Sequence, residues 1–112
     1  MIGRTKVFYR DSNGIYWMVC HYSQYLDIPT RIGLAWSRDL KHINVLPSSP
    51  LLDFTEVEEC DQLADAWMME HNGTLFLYNS CVRNYSPQHS YIRVATLNMS
   101  AKEFVESVLI VE

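Results

Sequence analysis

At 112 residues the chain has room for one modest core, and 48% hydrophobic with 20% charged residues is a folded composition rather than a disordered one. A net charge of −4 and no Lys/Arg cluster argue against nucleic acid and anionic membrane surfaces as partners. No apolar run reaches the length of a membrane span.

The opening residues, Met1 to Val7, hold no apolar signal core, so the expectation is a cytoplasmic chain without an export signal. Arg4 to Arg10 reads as a first strand. Asp11-Ser12-Asn13-Gly14 turns it into a second, Ile15 to Tyr22, because Asn and Gly tolerate the positive φ of a tight hairpin. That second strand is apolar at nearly every position, the pattern of a strand covered on both faces. Ser23 to Thr30 is a loop, and Arg31 to Ser37 a third strand. Arg38 to His42 is a polar turn, and Ile43 to Leu46 a short fourth strand ended by Pro47-Ser48-Ser49-Pro50.

Six carboxylates then crowd the thirteen residues from Asp53 to Asp65, a stretch that reads as a loop between two sheet units. The second unit begins with a strand from Ala66 to Glu70. An Asn72-Gly73 turn follows, then an inner strand from Thr74 to Cys81. Val82 to Ser90 reads as a polar loop and Tyr91 to Thr96 as a third strand. Phe104 to Val111 has two readings. Ser100 and Glu103 have the spacing of a capping box and would start a helix, whereas Val105, Val108, Ile110 and Val111 are β-branched. The strand is preferred, because the first unit ends in one.

The two units share a register. Gly73 follows Gly14 by 59 residues, and Ile92 and Ala95 follow Ile32 and Ala35 by 60. Four strands at a period near 60 are the mark of a β-propeller blade, whose sheet buries both faces only by stacking on neighbours. The expected fold is therefore all-β, with two four-stranded antiparallel blades, residues 1–52 and 53–112, forming one structural unit. Propellers close with about four to eight blades. Two blades require more from the same protein, assembly of several copies, or packing as a small sandwich.

The phrase from Arg31 to Ile43, RIGLAWSRDLKHI, resembles the R-I-G-L-A-x-S-x-D-L-x-x-W segment of the five-bladed propeller glycosidases, with Ile43 in place of Trp. These are glycoside hydrolase family 43 and its relatives in families 32, 62, 68 and 130. Asp65 to Ser80 resembles their D-P-x-V-x-x-x-D-G-x-Y-Y-L-x-Y-S blade opening, with Ala66 for Pro, and Arg4 to Ser23 resembles an adjacent opening. The resemblance implies carboxylate acid/base cleavage of an oligo- or polysaccharide. Acids at the start of each innermost strand would point into a central funnel. By motif match Asp65 carries over as a supporting carboxylate. The same place in the first unit falls at Arg4-Thr5 and holds no acid.

Glu58 and Glu59 are the other acids near Asp65, although a solvated acidic loop explains them as well. Trp67, Tyr25 and Tyr85 are candidates for stacking on sugar. Trp36, Trp67, Tyr16 and Trp17 all lie in apolar strands, where the plainer expectation is core. The four histidines show no ligand spacing, so no metal is expected, and no pattern points to a cofactor. Cys20, Cys60 and Cys81 lack a Cys-x-x-Cys pair and read as reduced core thiols, with a Cys20–Cys81 bridge as the alternative. Two functions follow: a glycosidase built from these and further blades, or a lectin-like propeller of several chains that binds carbohydrate without cleaving it.

Overall fold

The computed structural model describes residues 2–22, 31–53, 62–83 and 86–111. The fold is mostly β, as expected: two antiparallel sheets and one short helix. The first sheet is a meander of β1 (Ile2–Arg10), β2 (Tyr16–Tyr22), β3 (Arg31–Ser37) and β4 (Asn44–Asp53) in chain order. The second has three strands, β5 (Gln62–His71), β6 (Thr74–Arg83) and β7 (Ser86–Leu97), again in chain order.

The expected eighth strand is instead a helix, α1 (Ala101–Val111). The capping box forms: the Ser100 hydroxyl accepts from the Glu103 N–H at 3.1 Å, and the Glu103 carboxylate accepts from the Ser100 N–H at 3.1 Å. From β5, the Glu70 carboxylate accepts from the Ala101 N–H at 2.6 Å and supplies another free donor of the first turn with a partner. Ala101, Phe104, Val105 and Val108 recur at helical spacing and pack into the core, while Lys102, Glu103 and Glu106 face solvent. Cap and burial together outweigh the β-branched propensity. Two loops are also shorter than expected. β6 and β7 run on until Arg83 pairs with Ser86, and β4 continues through Pro47 and Pro50 to Asp53, with register irregularities beside Gly33.

Both turns form where expected, although Asn13, unlike Asn72, does not take positive φ. Asn72 and Gly73 have φ of 49° and 76°, the left-handed pair that matches strand twist across a two-residue hairpin. In the first hairpin Gly14 takes φ 78° and the Asp11 carboxylate accepts from the N–H groups of Asn13 and Ile15 and from the Trp17 indole. Partial burial pushes the Asp11 carboxyl up, but those three bonds and the Arg38 charge outweigh it and hold the group below its ordinary value.

β5 lies across β1, β2 and β3, so the second sheet covers one face of the first. Trp17, Val19, Ile32 and Leu34 from the first sheet meet Ala66, Met68, Leu75 and Cys81 from the second, and α1 closes the cluster with Phe104 against Phe8. Each such aliphatic side chain contributes on the order of 1.5–3 kcal/mol by leaving water. The opposite face of the first sheet is buried too, at Met18, Cys20 and Ala35 beside Ile43 and Val45. β2 is thus covered on both faces, as its continuous apolar run implied.

The cysteines depart from the expectation of three reduced thiols. Cys81 is disulfide-bonded, its partner lying outside the described residues, whereas Cys20 is free and buried. The Cys20–Cys81 bridge is therefore not formed. Burial pushes the Cys20 thiol up to about 11, and its S–H donates to the Gly33 carbonyl. No helix among the described residues is long and apolar enough to cross a membrane.

Candidate functional site

Asp65 lies inside β5 rather than at its start. The β5–β6 register slips between Ala64 and Trp67, so Asp65 and Ala66 form a β-bulge, and Asp65 takes φ 50°. Left-handed backbone at a bulge is normally glycine's place. An aspartate held there costs of order 1–3 kcal/mol, less than for a bulkier side chain, and such residues concentrate at functional sites.

Two neighbours from different sheets hold it. The Asp65 N–H donates to Nδ1 of His21 in β2 at 2.8 Å, which requires that nitrogen to be unprotonated and leaves a neutral ring its proton on Nε2. The Ser80 hydroxyl in β6 lies 3.5 Å from Oδ2 of Asp65, a long contact. His21 thus joins the candidate site, which sequence spacing did not reveal, since its link to Asp65 crosses 44 positions and two sheets. In the first sheet the matching place falls at Thr5. The Asp65–Ala66 bulge faces the stretch of β6 at Asn79, whose repeat counterpart is Cys20, and Cys20 is paired with Thr5.

Trp67, two residues on, is 54% exposed, not core. Its ring packs on Tyr78 at 5.8 Å, and Tyr78 stacks on Phe76 at 6.4 Å. Trp17 is core, and Tyr16 and Trp36 are half-buried, each with an arginine over its ring. Tyr25, Tyr85, Glu58 and Glu59 lie outside the described residues. Among the described residues no group of three or more His, Cys, Asp or Glu could hold a metal ion.

The Ser-Arg-Asp-Leu part of the first resembling phrase is turn architecture. The Ser37 oxygen accepts from the N–H groups of Asp39 and Leu40, and Asp39 accepts from those of Lys41 and His42 and pairs with the His42 ring at 2.7 Å. These bonds, the His42 N–H foremost, hold the Asp39 carboxyl far below its ordinary range, and Leu40 sits at φ 63°. A low pKa here reports a built turn rather than a reacting acid. Compared with known proteins, the chain matches no family, no characterised protein and no solved structure.

Proposed function

We propose that this chain is a two-sheet part of a propeller-type glycoside hydrolase acting on an oligo- or polysaccharide, with Asp65 as a funnel carboxylate. The observation that carries the reading is Asp65 itself, set in left-handed backbone at a bulge and tied to both sheets. A bulge re-aims a side chain, and an anchored N–H fixes where the carboxylate sits. In this role Asp65 orients a partner acid or stabilises the positive sugar, while a protonated carboxyl donates to the leaving oxygen and another activates water. The partner acid would come from Glu58 or Glu59, or from further blades in the same protein or another copy.

The alternative is carbohydrate binding without cleavage, favoured by the exposed Trp67 ring beside Asp65. A screen of oligo- and polysaccharides with the wild type and Asp65→Asn separates the two. The hydrolase reading expects reducing ends from the wild type and a loss of at least tenfold in Asp65→Asn. Sugar binding with no hydrolysis by either protein would sink it in favour of the lectin reading.

A further inference from the structure

Beside α1 the second sheet keeps an apolar cavity of about 140 Å³, lined chiefly by Met68, Leu75, Leu77, Ala95, Leu97 and Phe104. An apolar space of about this size holds a molecule as large as benzene. The cavity borders β7, where Ala95 and Thr96 are exposed and Leu97 is 44% exposed. From Val94 to Leu97 that strand pairs with β6 on one side and, among the described residues, with nothing on the other.

The first sheet shows what fills the same place. At the repeat offsets of 59 and 60, Leu77 and Ala95 correspond to Met18 and Ala35. Met18 and Ala35 are buried, and the side chains packed on them are Ile43, just before β4, and Val45 within it. Val45 stands opposite Ala35 in the β3–β4 register. One antiparallel strand with aliphatic side chains two residues apart therefore pairs the edge and covers Met18 and Ala35 at once. In the second unit the chain leaves β7 for α1, and no described residue takes the equivalent place.

We infer that β7 binds an extended strand of another polypeptide, antiparallel to it, with aliphatic side chains at alternate positions and one of them seated in the cavity at Ala95. Strand addition draws affinity from main-chain hydrogen bonds and specificity from pockets for alternate side chains, and β7 offers both together. The apolar lining selects an aliphatic residue at the inserted position, because a charge there would lose its water without gaining a partner. The inference does not rest on the role of Asp65, which lies on β5 at the opposite edge of the sheet.

The probe is the chain's own strand supplied in trans: a synthetic peptide of residues 41–46, Lys-His-Ile-Asn-Val-Leu, titrated calorimetrically into the 112-residue chain. Saturable binding is expected. Ile43→Asp with Val45→Asp in the peptide should weaken it at least about tenfold. N-methylation of alternate peptide nitrogens should abolish binding for one set and spare it for the other, because successive N–H groups of a strand point to opposite edges. In the protein, Ala95→Phe fills the cavity and should weaken binding at least about tenfold, with its circular dichroism retained because Ala95 is exposed. A wild type that shows no saturable binding up to millimolar peptide overturns the inference. Binding that survives Ala95→Phe, or that is indifferent to the Asp substitutions or to N-methylation at every position, overturns it equally and marks adhesion to apolar surface elsewhere.

Discussion

The two sheets begin from the same plan and end differently. Each opens with a bulged strand, turns through Asn-Gly and continues into an apolar middle strand. In the first, Ile32 is fully buried beneath the second sheet; its repeat partner Ile92 is 76% exposed. The first closes with β4, whereas in the second the chain leaves the sheet and α1 packs back over the shared core. Equal local sequence therefore does not give equal burial. What covers a face is decided by the neighbour, and the second sheet's outer face lacks one among the described residues.

The sharpest way to break that comparison is to truncate the two isoleucines. Ile32→Ala is expected to lower unfolding free energy by about 3–4 kcal/mol in urea titration, and Ile92→Ala by no more than about 0.5 kcal/mol at concentrations where the chain is single. Similar losses at both would show that the two faces are equally covered. Phe104→Ala tests the helix that replaces a fourth strand; removing a ring from the core should cost about 3 kcal/mol in the same titration. Ser100→Ala removes one side of the capping box and should cost about 1 kcal/mol, seen as a lower thermal midpoint. If α1 were dispensable, neither change would register.

The smallest expected effect is on pH dependence, and it leans towards the first sheet. Asp11 and Asp39 lie in its turns and Glu103 at the helix cap, all with carboxyls held below their ordinary values; for Glu103 the Ser100 N–H is the main cause. A depressed native pKa means that the unfolded chain binds more protons in acid. The stabilisation is complete above the ordinary carboxylate pKa of about 4 and is lost as pH falls through the native values. The thermal midpoint should fall on acidification from about pH 6 to pH 3, and Asp39→Asn should flatten that slope.

The strands were legible because their signals are local. Asn72-Gly73, Asn13-Gly14 and the alternation around them specify hairpins within a few residues, and seven of the eight expected strands form. The eighth failed because its outcome depended on a distant group. Ser100 and Glu103 announced a helix, but Glu70, thirty-one positions before Ala101, completes the cap, and a core drawn from both sheets receives its apolar stripe. The plainer expectation of a core Trp67 failed because that residue lies on an outer strand whose outward face is uncovered, as in the matching strand β1, where Val7 is 46% exposed. Asp65 could be named from the phrase around it. Its left-handed backbone and the His21 contact arise from a bulge and a sheet–sheet contact, neither of which leaves a pattern in the chain.

The bulges have a consequence for solubility. Every open sheet carries two outer strands whose unpaired N–H and C=O groups invite other chains to add on. β1 and β5 are outer strands, and the slipped register in each spoils the regular ladder an incoming strand would need. β4 is guarded by Pro47 and Pro50, which offer no N–H. Among the described residues that leaves β7, whose stretch from Val94 to Leu97 is regular and free of proline. If the chain ever polymerises edge to edge, that stretch is where growth starts, and a proline at an outward-facing N–H there is the substitution that stops it.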